Sequence, residues 1–189
     1  MHQRIRSIIA ATATAALLVG GTVATAGTSG AIFTTNVDGS WVNGNVYGSA
    51  GDVYLNGGPR ANQGCSAAGL PDDDYYFQVT DPSGKELLSG YGPENGTIRV
   101  RGGMIVEYFE GSHDTGVGRC ATLTTPNPTV KLSPFGPTPN PGGEYKVWMT
   151  PVGSYACDGS GCGGSFGFFS SSSKTDNFKV QPPDGGDGD

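Results

Sequence analysis

Leu70-Pro71-Asp72-Asp73-Asp74-Tyr75-Tyr76-Phe77-Gln78-Val79-Thr80-Asp81-Pro82-Ser83-Gly84 is the stretch on which the reading of the fold turns. On an extended backbone Tyr75, Phe77 and Val79 fall on one side, and Tyr76, Gln78 and Thr80 on the other. That period of two predicts a β-strand with one buried face. Asp81-Pro82-Ser83-Gly84 then predicts a tight turn. Pro82 sets φ at about −65° in the second turn position, and Gly84 accepts positive φ. Residues 85–89 are expected to run back as the partner strand.

The beginning of the chain has the composition of an export signal. Arg4 and Arg6 make a basic start, residues 8–19 are mostly apolar, and Ala24-Thr25-Ala26 is a small-x-small cleavage site. The apolar run is short for a membrane span, which needs roughly 20 residues, and no later segment comes close. The residue after the expected cut is Gly27, not the Cys of a lipid-anchored bacterial protein. Cleavage there leaves 163 residues with nine basic and 17 acidic side chains, a net charge of −8. Such a chain lacks the clustered Lys and Arg that displace counterions from nucleic acid. An anionic membrane surface is disfavoured for the same reason. The length suits one domain able to bury on the order of 70% of the unfolded chain's surface. The 33 glycines, with few charges and many Thr, Tyr and Val, point to strands and turns.

All four cysteines, Cys65, Cys120, Cys157 and Cys162, lie in the exported part. An even count in an exported chain favours two disulfides, with three pairings possible. Cys157 and Cys162 flank Asp158-Gly159-Ser160-Gly161, a flexible turn that can bring the thiols together. Cys65–Cys120 is then the second bridge, worth roughly 4 kcal/mol on the chain-entropy estimate. Four thiolates could hold zinc, but the spacing lacks paired C-x-x-C knuckles.

Along the chain, short strand candidates are bounded by Gly, Pro, Asn or Asp. They fall at residues 31–37, 41–47, 52–55, 117–124, 129–132, 144–150 and 177–180. Thr97 to Arg101 and Met104 to Phe109 read as a hairpin closed by Gly102-Gly103. Residues 155–169 are a Gly-rich excursion, and 181–189 read as a disordered acidic tail. The organisation predicted is a signal peptide over 1–26, an all-β domain over 27–180, and the tail. About seven or more short strands is the pattern of an immunoglobulin-like β-sandwich.

The central stretch resembles the "LPDGxYYFQVTDPSG" segment of a group of uncharacterised bacterial exported and surface proteins. Asp52-Val53-Tyr54-Leu55-Asn56-Gly57-Gly58-Pro59 is similar to the same group. So are Thr138-Pro139-Asn140-Pro141-Gly142-Gly143-Glu144-Tyr145-Lys146-Val147-Trp148-Met149-Thr150-Pro151 and Ser173-Lys174-Thr175-Asp176-Asn177-Phe178-Lys179-Val180. More distantly the chain resembles the prealbumin-like sandwich of Cna-B and SdrD-B surface modules. The resemblance implies a fold and a location, secreted or at the bacterial cell surface, and no activity. Modules of that kind often link a first-strand Lys to a last-strand Asn or Asp. Asp176 and Asn177 stand on the expected last strand, but residues 32–37 and 52–55 contain no Lys, so disulfides are the expected staples.

Three groups of side chains have the chemistry of a site. Asp72, Asp73 and Asp74 are hard oxygen ligands of the type that binds calcium, yet neighbours in an extended chain point to opposite faces, so a solvated turn is the better reading. Glu107, Glu110, His113 and Asp114 are acid-base residue types in one region, with no spacing that fixes a catalytic geometry. No nucleophile elbow, H-E-x-x-H or phosphate loop occurs. Trp41, Tyr47, Tyr76, Trp148, Tyr155 and the group Phe166, Phe168 and Phe169 offer flat rings that could stack on sugars or grip protein. Trp41, Tyr76 and Trp148 are the candidate ligand-binding rings among them, Trp148 and Tyr76 because they face away from the core positions of their strands; Tyr75, Phe77, Tyr145 and Phe178 are expected core, and residues 166–169 a cap over its open end. The expected protein is a secreted or surface-displayed, non-catalytic structural or adhesive module without a cofactor. Cell wall, a matrix protein or a glycan is its expected partner, and a carbohydrate-binding module is the alternative. The secreted chain is predicted to have an intact mass lower than that of residues 27–189 by the four hydrogens of two cysteine pairs. A further loss of ammonia or water in the mass spectrum would show a side-chain crosslink instead.

Overall fold

The computed structural model describes residues 29–158 and 161–181. The expected leader and residues 182–189 of the tail lie outside the described residues. The strands are β1 (Ala31–Thr35), β2 (Val46–Tyr47), β3 (Tyr54–Gly58), β4 (Asp73–Thr80), β5 (Thr97–Arg101) and β6 (Met104–Phe109). They continue with β7 (Thr115–Val117), β8 (Pro128–Lys131), β9 (Glu144–Pro151), β10 (Cys157–Asp158), β11 (Gly161–Cys162) and β12 (Lys174–Val180).

The alternation read from the central stretch is the alternation of β4. Tyr75, Phe77 and Val79 are buried in the main core. β4 pairs with β9 from Tyr75↔Pro151 to Thr80↔Lys146, and with β5 from Asp73↔Val100 to Tyr76↔Thr97. The larger sheet has the order β2-β12-β9-β4-β5-β6, and the smaller β1-β3-β8-β7. Every pairing is antiparallel except β2 with β12. The two sheets stack as an immunoglobulin-like β-sandwich. Ile98, Ile105, Val147, Met149 and Phe178 of the larger sheet share the core with Ile32, Leu55 and Val130 of the smaller. Tyr145 and Phe178 stack at 5.3 Å between ring centroids, with Phe135 at 5.0 Å from Tyr145.

The structure departs from the sequence reading at identifiable places. Residues 85–89 do not form a ladder with β4; only Thr80 and Leu87 make a bridge. The Asp81 carboxylate collects the N–H groups of Ser83, Lys85 and Glu86, which widens the turn. β9 meanwhile holds one edge of β4 along its length. Of residues 41–47 only Val46 and Tyr47 are strand, because Asn43 and Asn45 take φ of 53° and 61° and bend the chain. β3 runs through Asn56-Gly57-Gly58, which read as a stop. Those glycines serve close packing: a side chain at Gly57 would meet Leu70 Cδ1 at 2.9 Å. The strand expected over 117–124 is instead β7, and the chain turns before Cys120. The 97–109 hairpin forms as read, with a bulge at Arg99/Val100.

Both disulfides are present, Cys65–Cys120 and Cys157–Cys162. Next to the first, Arg119 donates to the carbonyls of Pro59, Arg60 and Gln63 at 3.0–3.1 Å, and its guanidinium lies over the Phe33 ring. A covalent bond and an arginine fork therefore hold the 59–65 loop on the smaller sheet. Among the described residues no helix is long and apolar enough to cross a membrane.

The two bridges close loops of very different length, with sequence separations of 55 and 5. Replacing Cys65 and Cys120 by Ala is predicted to cost about 4 kcal/mol, and replacing Cys157 and Cys162 about 2 kcal/mol, on loop-closure entropy. Urea unfolding of the two double variants checks the order; equal losses would contradict it.

Candidate functional site

Side chains of β4 and β9 that point away from the core form the outer face of the larger sheet. A sheet with one solvated face would leave these positions in water. Here Gln78 is 2% exposed, Trp148 5%, and Thr80 and Thr150 are fully buried. This corrects the expectation that Trp148 is a surface ring. Residues 152–158 and 161–173 fold back over the outer face as a lobe and cover it. Trp148 Nε1 donates to Thr80 Oγ1 at 2.9 Å, and Thr80 Oγ1 donates to the Asp81 carbonyl. Phe168 packs on Trp148 and Tyr155, and Tyr155 stands edge-on to Tyr76 at 5.2 Å. Phe168 thus seals the outer layer and not the open end of the sandwich. The tip of the turn at Gly84, with φ of 74°, rests against Ser165, where a Cβ would come within 2.7 Å of Oγ.

A cleft of about 510 Å³ remains between the lobe and residues 87–93. Gln78, Leu87, Tyr91, Pro93, Tyr155 and Phe166 line it. Gln78 Nε2 donates to the Tyr91 carbonyl at 3.4 Å, while its buried Oε1 has no hydrogen-bond partner among the described residues. Phe166 is held at φ of 54°, between Gly164 and Gly167, both also at positive φ. Burial, with the Glu94 carboxylate nearby, pushes the Tyr155 phenol pKa up. Of the three rings read as ligand candidates, Tyr76 is half-buried beneath Tyr155 and Trp148 is covered. Trp41 is 51% exposed and packs on Tyr47 in β2, at the edge of the larger sheet. They do not form one platform.

The acid-base residues are drawn into the framework. Arg99 forks onto Asp74 at 2.8 and 3.1 Å and reaches Glu107 at 2.9 Å. Glu110 follows the end of β6 with φ of 60°, its carboxylate 3.4 Å from Thr97 Oγ1. Asp114 pairs with Lys131. The His113 ring sits edge-on among Phe77, Tyr91 and Tyr108, with Nδ1 3.0 Å from the Ser133 carbonyl. Burial lowers its pKa. The three adjacent aspartates splay apart. Asp72 accepts from the Gly103 N–H, Asp73 from the Asp74 N–H, and Asp74 binds Arg99 and Arg101. They do not converge as calcium ligands, and among the described residues no three His, Cys, Asp or Glu side chains gather as a metal site.

Asp176 shares the inward parity of Phe178 on β12 and reaches across to the smaller sheet. Its Oδ2 accepts from Thr34 N at 2.7 Å and from Thr34 Oγ1 at 3.1 Å. Thr34 therefore occupies the first-strand place facing Asp176. The Tyr47 hydroxyl close by is buried with no partner among the described residues, and burial pushes its pKa up to about 12. Sequence reading singled out neither Gln78 nor the Asp176–Thr34 clasp. Both arise from contacts between segments distant in the chain.

Compared with protein-family models, curated proteins and solved structures, the chain matches none.

Burial raises the Asp176 pKa, outweighing the Thr34 hydrogen bonds. A carboxyl with a folded pKa above its unfolded value, about 3.9, favours the native state below that value and loses the advantage as pH rises through the folded pKa. Asp176→Asn keeps an acceptor for Thr34 and removes the buried charge. It is predicted to flatten the stability profile between pH 4 and 7, whereas Asp176→Ala should cost about 1–3 kcal/mol by leaving the Thr34 N–H unsatisfied. Urea unfolding at both pH values tests the pair, and a steeper profile for Asp176→Asn would refute the assignment.

Proposed function

We propose that the protein is an exported bacterial β-sandwich module that acts structurally or adhesively, without catalysis, outside the cell or at its surface. The observation that carries this reading is the use made of the acid-base side chains. Glu107 neutralises Arg99, Asp114 neutralises Lys131, and His113 is walled in by three rings with its Nδ1 on a main-chain carbonyl. Each is committed to a neighbour that a working acid or base would have to give up. Two disulfides suit an oxidising compartment, and the leader-like start of the chain agrees with them. Resemblance to Cna-B and SdrD-B modules supports the same reading.

Mature protein mixed with purified bacterial cell wall, or applied to immobilised collagen and fibrinogen, is expected to bind at least one of these surfaces. Binding should be unchanged in Glu107→Gln, which alters an exposed ion pair. Hydrolytic turnover of cell-wall polymer that Glu107→Gln abolishes would overturn the non-catalytic reading.

A further inference from the structure

We propose that the cleft under the lobe binds a neutral pyranose sugar, with Gln78 at its floor and Tyr155 and Phe166 as its walls. This rests on the reading of the protein as a non-catalytic module and gives that module a ligand and a place to hold it. Gln78 is the first reason. It lies in the middle of the central strand, 2% exposed, with its amide nitrogen spent on Tyr91 and its Oε1 without a donor among the described residues. A buried acceptor left unpaired costs about 1–3 kcal/mol, so packing alone would favour an apolar side chain there. Gln78 lines the cleft, and a turn of its amide toward a bound hydroxyl would supply the missing donor.

The second reason is the chemistry of the lining. None of the side chains lining the cleft carries a charge. The lining includes the rings of Tyr91, Tyr155 and Phe166 with Leu87 and Pro93, and its polar groups are the Gln78 amide, the Ser89 hydroxyl, two phenols and main chain. A guest that suits this surface has apolar faces for the rings and hydroxyl donors around its rim, which describes a pyranose. Glu94 folds over Gly92 near Tyr155 and offers a carboxylate acceptor at the rim. The volume, about 510 Å³, falls in the ordinary range for small-molecule sites.

The walls are also built to stay in place. Phe166 is held in the left-handed region, a conformation that costs of order 1–3 kcal/mol and persists only where surroundings enforce it. The Cys157–Cys162 bridge braces the lobe beside it, and Cys162 itself borders the cleft.

Mature protein is titrated calorimetrically with cellohexaose, mannohexaose and maltohexaose, and with tetramethylammonium as a cationic control. At least one sugar is expected to bind. Tyr155→Ala and Phe166→Ala should each weaken it by about tenfold or more, equivalent to roughly 1.4 kcal/mol. Gln78→Leu should weaken it similarly while leaving the melting temperature equal or higher, which a merely structural glutamine would not do. Trp41→Ala, away from the cleft, should leave affinity unchanged. The assignment is overturned if no sugar binds, if only tetramethylammonium binds, or if sugar affinity survives in both Tyr155→Ala and Phe166→Ala. Adhesion to cell wall or matrix is read separately, so a module that adheres without binding sugar loses the cleft assignment and keeps the broader reading.

Discussion

The pairing of β4 with β9, buried on both faces, is the constraint on which the rest of the structure depends. Inward, Phe77, Val79, Val147 and Met149 lie against the smaller sheet. Outward, Gln78, Thr80, Trp148 and Thr150 lie under the lobe. A strand pair in that position must satisfy polar side chains without water. Trp148, Thr80 and Asp81 do so in a relay, and Thr150 does so with Ser173. The result is three layers: a four-stranded sheet, a six-stranded sheet and a loop-built cover. The cover contains little regular structure, so its order comes from a disulfide, from Phe168 and from glycines that allow close turns.

Much of this was legible in the residues. Period-two alternation located β4, the 97–109 hairpin and β9, and the spacing of the cysteines favoured the pairing that forms. What alternation cannot say is what lies on a face. Tyr76, Gln78, Thr80 and Trp148 read as an outer face correctly, yet being outer in a sheet is not the same as being wet. Their burial depends on where residues 152–158 and 161–173 go, and a Gly- and Ser-rich stretch carries no periodicity to show it. Glycine misled in the opposite sense at Gly57 and Gly58. There it marks close packing inside a strand, a role that looks the same in sequence as a turn. Tyr155 and Phe166 border the cleft, whereas Trp148, read as a surface ring, is covered.

The open margins of the two sheets are managed individually. Thr34, on the edge strand β1 and itself buried, gives its N–H to Asp176 and accepts the Asn43 N–H at its carbonyl. On β6, the Ile105 carbonyl is taken by Asn127 Nδ2, and the Gly103 carbonyl just before the strand by Leu70. Unpaired main chain at a sheet edge invites pairing with another molecule, and side-chain caps and inward-pointing charges discourage it. Asp176 serves both purposes, capping one edge while placing a charge inside another.

The Asp176–Thr34 clasp also sets how the module would carry a load. Lys174 reaches the Gly30 carbonyl, and Asp176 reaches Thr34, so the first and last strands run side by side in the same direction. Tension applied at Ser29 and Gln181 then pulls along the strands from opposite ends. Bonds between them are stretched together in shear and not opened one at a time like a zipper.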